Sequence, residues 1–143
     1  MNPAPSNSAR LVISSDPHRI AEADEFLENT LRGRGVPESM VTDVAIASTE
    51  LVNNAIVHGN KSNPDKTVTI EIIFTPTDLT VRVADQGEGF NPQEIPDPLA
   101  EENLLREVGR GVFIVRSLMD ELRYEAGPGG GTVVVARKNL LTG

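Results

Sequence analysis

A long amphipathic segment, from Pro37 to about His58, constrains the fold more than any other part of the sequence. Small or apolar residues recur along it at the spacing of an α-helix, namely Val41, Val44, Ala45, Ser48, Val52 and Ala55. This period predicts a helix whose broad apolar stripe packs against a core. Gly59 follows the last residue of the pattern and is typical of a helix end.

The opposite side of the same helix carries Glu50, Asn54 and His58, each four residues after the one before. At about 100° per residue, this spacing puts the three side chains on one face, away from the apolar stripe. A carboxylate, an amide and an imidazole in one row suit ligand binding or proton transfer. The polar side of an amphipathic helix is more often simply solvated, and this helix taken alone does not decide between the two interpretations.

The composition of the chain limits the kinds of ligand and partner that it can bind. The chain has 143 residues, which favours one domain, and its 38% hydrophobic content is typical of soluble globular proteins. A net charge of -8 argues against a nucleic-acid or acidic-membrane surface, so an anionic ligand would need local positive potential. The sequence has no Cys, no membrane-spanning apolar run and no signal-peptide core, so we expect a cytoplasmic protein without disulfides.

The remaining segments predict the order β-α-α-β-β-loop-α-β-β. The predicted strands are residues 10–14, 67–74, 79–83, 122–126 and 132–136. The predicted helices besides the long one are about 17–31, capped by Asp16, and 111–120, with a short helix at about 99–106. Most strand pairs are joined by hairpins, which favours a mixed, mainly antiparallel sheet covered on one face by helices. The expected fold class is therefore a two-layer α/β (α+β) sandwich.

Two termini and one internal loop fall outside this pattern. We expect a flexible N-terminus at 1–9, a single domain at 10–138 and a tail at 139–143. The stretch before the third long helix is rich in Pro and acidic residues, and loops of that length are commonly functional lids. The predicted lid covers about 91–110.

A second motif, Asp85-Gln-Gly87-Glu-Gly89, directly follows a predicted strand. A carboxylate there can accept a hydrogen bond from an exocyclic amine such as that of adenine. The two glycines free the backbone to turn and let a flat ring lie close to it. Asp-x-Gly is also an ordinary turn sequence, and that interpretation is at least as common.

A third motif, Gly109-Arg110-Gly111, precedes a predicted helix, whose first N–H groups and dipole offer an anion site. The same residues suit a plain hinge, and Arg110 could contact a phosphate or point to water. A last pair, Gly131-Thr132, could belong to a simple hairpin turn. The phosphate-binding loop with Gly-Lys-Ser/Thr and the Gly-x-Gly-x-x-Gly dinucleotide motif are both absent.

Together these four ordered motifs resemble the Bergerat ATP-binding fold shared by gyrase, the 90-kilodalton chaperone, histidine kinases and mismatch-repair ATPases. The resemblance spans about residues 10–138. Within that superfamily the chain looks most similar to the bacterial anti-sigma-factor serine/threonine kinases. The strings at residues 50–59 and 109–121 carry this closer resemblance.

The resemblance implies a role for each motif, with ATP and Mg²⁺ as cofactors. Asn54, rather than the adjacent Asn53, would be the metal ligand, and Glu50 would be the general base for an attacking hydroxyl. Asp85 would bind the adenine amino group with support from Thr132. The full set of candidate cofactor-binding residues is Asn54, His58, Asp85, Gly87, Gly89, Gly109, Arg110, Gly111 and Thr132.

The implied function is that of a protein serine/threonine kinase acting as an anti-sigma factor. Such a protein sequesters a sigma factor and phosphorylates an anti-sigma-factor antagonist, and a homodimer is compatible with the resemblance. No direct nucleic-acid or membrane partner is expected. Two alternatives stay open: a nucleotide-gated binding switch without productive phosphotransfer, and a stand-alone ATPase.

Overall fold

The computed structural model describes residues 7–87, 107–127 and 129–141, with the backbone alone at 107–110. These residues form one sheet in the order β1-β2-β3-β5-β4. The strands are β1 (Ser8–Ser14), β2 (Thr67–Phe74), β3 (Asp78–Ala84), β4 (Glu121–Ala126) and β5 (Thr132–Asn139). The α-helices are α1 (Ile20–Gly33), α2 (Glu38–Asn54) and α3 (Glu107–Leu118).

All four neighbouring strand pairs are antiparallel, which confirms the predicted fold class. Side chains of β2 and β3 alternate in burial, because successive residues of a strand point to opposite faces of the sheet. The residues that are at most 1% exposed on these strands are Val68, Ile70, Ile72, Leu79, Val81 and Val83. Glu71 and Arg82, which pair across the two strands, lie on the opposite, partly exposed face. The helices therefore cover one face of the sheet.

Helix α2 lies between α1 and α3 and packs against both of them. All six residues of its predicted apolar stripe are buried. Met40, Ala47 and Leu51 are buried as well. The core is completed by Leu27 and Leu31 of α1 and Val115 of α3.

The predicted start of the first helical segment is confirmed. Asp16 accepts a hydrogen bond from the backbone N–H of His18 at 2.9 Å, and Pro17 begins a single 3₁₀ turn that leads into α1. A Pro in the first turn loses no hydrogen bond, because the N–H that it lacks has no helical partner there.

The predicted start of the third long helix was wrong. Helix α3 begins at Glu107, so Gly109 and Gly111 lie inside its first turns and do not precede it. A glycine inside a helix costs about 1 kcal/mol relative to alanine, which is small enough for tertiary packing to override. The predicted short helix at 99–106 and residues 91–106 of the predicted lid lie outside the described residues. No helix in the described part of the chain is long and apolar enough to cross a membrane.

Candidate functional site

The site is built around the end of α2, where the helix changes to a π-helical turn, Ala55–Gly59. The backbone N–H of Asn60 donates to the carbonyl of Ala55 at 2.8 Å, which closes the wider turn. Lys61 and Ser62 follow with φ angles of 52° and 55°, in the left-handed region that non-glycine residues seldom adopt. Single π turns are rare and are frequent at functional sites. This turn ends at the carboxyl end of β3.

Asp85 directly follows β3 and is fixed there by backbone groups of two segments. Its own N–H donates to the carbonyl of Thr132 at 2.9 Å, at the start of β5. Its Oδ1 atom accepts the N–H of Gly87 at 2.9 Å and that of Thr132 at 3.1 Å. No group of the described residues donates to the other oxygen, Oδ2. The two backbone donors therefore hold the carboxylate through Oδ1.

Three glycines surround this carboxylate, and each is required by close approach. A Cβ atom on Gly59 would overlap the Asp85 carboxylate, and one on Gly131 would overlap the Asp85 backbone carbonyl. A Cβ on Gly87 would overlap the carbonyl of Gly59. Because no side chain fits at these positions, the glycines let three backbone segments pack directly around Asp85.

Glu50 and Asn54 lie together at the contact between α2 and α3. A Cβ atom on Gly111, which is buried, would lie 2.9 Å from Oε2 of Glu50 and 3.4 Å from Nδ2 of Asn54. The two side chains therefore share a helix face, and the first turns of α3 cover that face. Both side chains are partly buried there.

The other candidate residues differ in how closely the described structure ties them to Asp85. His58 is exposed within the π turn, and no described residue hydrogen-bonds to its ring. Thr132 is 9% exposed and contacts Asp85 through both its N–H and its carbonyl. Gly89 and the side chain of Arg110 lie outside the described residues.

The donor atoms present fit a magnesium ion that arrives with a nucleotide. The described residues contain no group of three or more His, Cys, Asp or Glu that could hold a metal ion alone. Mg²⁺ prefers oxygen ligands, keeps several waters and is commonly held by one or two protein groups together with substrate phosphates. The Asn54 amide oxygen is a protein donor of this kind.

Sequence reasoning missed the contributions of Gly59, Asn60 and Gln86. Gly59 was predicted as a helix stop, but it also packs directly against Asp85. Asn60 carries no sequence pattern that predicts burial, but it is 1% exposed, and its side chain accepts the N–H of Gln86 at 2.7 Å. A buried asparagine in a turn has the same local sequence as an exposed one, so the sequence carries no signal that separates them.

The chain matches the model of the histidine kinase-like ATPase domain over residues 13–138. An anti-sigma F factor from Clostridium acetobutylicum is 34% identical over 102 residues, which cover 70% of this chain and 71% of that protein. An anti-sigma F factor from Clostridium perfringens is 31% identical over 104 residues, which cover 71% of this chain and 74% of that protein.

Solved structures of low identity share the fold. The RsbU and RsbW domains of a Mycobacterium tuberculosis protein match with a TM-score of 0.69 and 19% identity, over 96% of this chain and 33% of that longer chain. The mycobacterial sensor histidine kinase MprB matches with a TM-score of 0.55 and 17% identity, over 92% of this chain and 97% of that chain.

The chain therefore belongs to the histidine kinase-like ATPase family. The anti-sigma F factors are its homologues within that family. Both the family resemblance and the fold class predicted from the sequence are confirmed.

Proposed function

We propose that the chain is an ATP- and Mg²⁺-dependent protein serine/threonine kinase that acts as an anti-sigma factor. The observation that carries this proposal is the placement of Glu50 beside Asn54 under α3. A candidate base and a candidate metal ligand then share one helix face, and the carboxylate of Asp85 lies beyond the π turn that ends the same helix.

Asp85 is the candidate adenine-binding residue. Its Oδ1 is occupied by two backbone donors, so Oδ2 is the oxygen that can accept the exocyclic amine of adenine. The close packing of Gly59, Gly87 and Gly131 around Asp85 fixes the position of that carboxylate. A charged acceptor held by its neighbours gives both affinity and selection for a base with an amine at that position.

The N-terminus of α3 is the candidate phosphate-binding element. The chain has a net charge of -8, so the phosphates need a local source of positive potential. The first N–H groups of a helix have no intrahelical acceptor, and the helix dipole favours negative charge at that end. Gly111 keeps this end of α3 close to Glu50 and Asn54.

Glu50 and Asn54 have separate proposed tasks. When bound, ATP would supply the phosphoryl group, and Mg²⁺ would neutralise the charge that develops on it. Asn54 would contribute an amide oxygen to the metal, and Glu50 would accept the proton of the incoming serine or threonine hydroxyl.

The proposed partners are a sigma factor and an antagonist protein that carries the phosphorylated hydroxyl. Support for the sigma factor comes from relatives that are named anti-sigma F factors. We include an antagonist protein because a general base at Glu50 needs a hydroxyl group that receives the phosphoryl group. The proposed site of action is the cytoplasm, where sigma factors act.

The test begins with a pull-down from the source cells with and without ATP–Mg²⁺, followed by incubation of each captured protein with the chain and labelled ATP. Label on a captured protein supports the kinase, whereas label released to water alone indicates a stand-alone ATPase. Nucleotide-dependent capture with neither outcome indicates a binding switch. Glu50→Gln is the matched control, because it preserves the shape of the side chain and removes the base.

A further inference from the structure

The side chain of Asn60 uses both of its polar atoms while being 1% exposed. Its Nδ2 donates to the hydroxyl of Ser15 at 2.7 Å and to the carbonyl of Thr67 at 2.9 Å. Its Oδ1 accepts the backbone N–H of Gln86 at 2.7 Å. A backbone carbonyl on one side and a backbone N–H on the other fix which atom of the amide is the donor.

The groups that hold the Asn60 amide are themselves anchored in the sheet. Ser15 is fully buried, and its hydroxyl donates to the carbonyl of Lys66 at 2.9 Å. Thr67 is the first residue of β2 and pairs with Ser14 at the end of β1. Asn60 is therefore tied to the ends of two paired strands.

The Gln86 end of this connection belongs to the turn that fixes Asp85. The N–H that Asn60 accepts belongs to Gln86, and the next N–H along the chain, that of Gly87, donates to Oδ1 of Asp85. The side chain of Gln86 returns to the same anchor, because its Oε1 accepts the N–H of Thr67 at 2.7 Å. The peptide that Asn60 holds therefore directly precedes the one whose N–H, that of Gly87, binds Asp85.

We infer that Asn60 is a positioning residue that orients the Asp85 carboxylate for the adenine amine. This inference rests on the proposed function. Without Asn60 the N–H of Gln86 loses the acceptor that ties this turn to the ends of β1 and β2, and the turn relaxes. The Gly87 donor then moves off Oδ1 of Asp85, and Oδ2 loses its defined direction. Asn60 acts through Asp85 and does not itself contact the base.

Selectivity for the amine tests this role, because a general loss of stability does not change it. Purine riboside triphosphate lacks the 6-amino group of ATP and is otherwise the same ligand. A hydrogen bond to a charged group predicts that the wild-type chain prefers ATP by about tenfold or more. Asn60→Ala should reduce the preference for ATP by at least about threefold, because the Asp85 carboxylate then loses the orientation on which that hydrogen bond depends.

Ser15→Ala is the matched control. It removes another fully buried polar group of the same network but leaves the contact from Asn60 to Gln86 in place. Its preference for ATP should stay within about twofold of the wild type, even if its stability falls. A folded Asn60→Ala with the wild-type preference overturns the inference and leaves the kinase proposal standing. A wild-type chain that binds no ATP overturns the kinase proposal, and the inference falls with it.

A measurement on the wild-type chain covers the case in which Asn60→Ala does not fold. Because Asn60 accepts the Gln86 N–H, that amide should exchange with solvent at least about tenfold more slowly than an unstructured amide, although the Gln86 side chain is exposed. Protection of this amide in the wild type supports the contact. Exchange at the unstructured rate overturns the inference.

Discussion

Among single residues, Asp85 gives the most direct test of nucleotide binding. In Asp85→Asn one carboxylate oxygen becomes an NH₂ group, which donates hydrogen bonds. The site therefore loses its charged acceptor. We expect ATP and ADP affinity to fall alike, by about 1.5–3 kcal/mol, because the adenine end is common to both nucleotides. Calorimetry with both ligands measures this, and an unchanged ADP affinity would remove the adenine role from Asp85.

Glu50 and Asn54 lie against the same glycine of α3, so each serves as a packing control for the other. Glu50→Ala should keep near-normal ATP affinity and lose about 10²–10⁴-fold in phosphotransfer, the usual size of general-base catalysis. Asn54→Ala should lower both Mg²⁺-dependent ATP affinity and transfer. The measurement pairs ATP affinity with phosphate incorporation into the antagonist. Wild-type transfer by Glu50→Ala would show that Glu50 is not the base.

Ser48 lies in the apolar stripe of α2, and its hydroxyl oxygen is a buried polar atom with no hydrogen-bond partner among the described residues. Burying an unpaired polar group costs about 1–3 kcal/mol, so Ser48→Ala should raise the free energy of unfolding by about 1 kcal/mol. Ala47→Ser, at the fully buried neighbouring position, is the reverse control and should lower it. Urea unfolding measures both, and a destabilised Ser48→Ala would mean that the hydroxyl has a partner.

At the scale of secondary-structure elements, the approach of α3 to α2 depends on Gly111. A Cβ there would meet the flexible end of Glu50 at 2.9 Å, so Gly111→Ala should fold but push the proposed base aside. We expect a larger loss of phosphotransfer than of ATP affinity. Gly33→Ala, where a Cβ meets nothing within 4 Å, should leave both unchanged. Equal activity of the two variants, measured by phosphate incorporation, would show that the close contact has no role in catalysis.

Helix α1 carries a pH-dependent contribution to stability. Burial, with the neighbouring Glu28 carboxyl, raises the pKa of Asp24 from 3.8 to about 6. The folded chain thus binds this proton more tightly than the unfolded chain. Its contribution to stability is therefore full below about pH 4 and is lost as the pH rises through about 6.

Asp24→Asn should therefore remove one component of the pH dependence, namely a decline in the free energy of unfolding between about pH 4 and pH 6. Urea unfolding at several pH values, expressed as the difference between variant and wild type, measures it. Glu22→Gln on the same helix, where Glu22 pairs with Arg19 at 3.1 Å, is the control and should leave the decline in place. A pH-independent difference for Asp24→Asn would contradict the raised pKa.

For the whole molecule, the parts that could be predicted from the sequence are those whose pattern is local. Alternation in β2 and β3 and the helical period of α2 identify which face of each element is buried, and the structure agrees. Hairpin turns also indicate that β2 neighbours β3 and that β4 neighbours β5. Pairing of β1 with β2, and of β3 with β5, joins distant segments and has no local signature.

The candidate site could be predicted in part. The sequence marks Glu50, Asn54 and Asp85 because their spacing and flanking glycines are unusual for ordinary polar residues. The interior position of Gly111 in α3 could not be predicted, because a glycine that permits close helix packing has the same local sequence as one that ends a helix. The burial of Asn60 depends on β1, which is distant in the chain, so no local pattern reveals it either.

The π-helical turn at Ala55–Gly59 makes the number of residues in this segment as important as their identity. Removing one residue there would favour a regular α-helix and would shift Gly59 by about 1.5 Å along the helix axis and about 100° around it, away from Asp85. Asn60 and its contacts would shift with it. Substitutions at the exposed His58 should therefore be tolerated better than any single-residue deletion between 55 and 58. Insertions and deletions during the divergence of such chains are accordingly expected to fall elsewhere, in segments whose length does not set the position of the site.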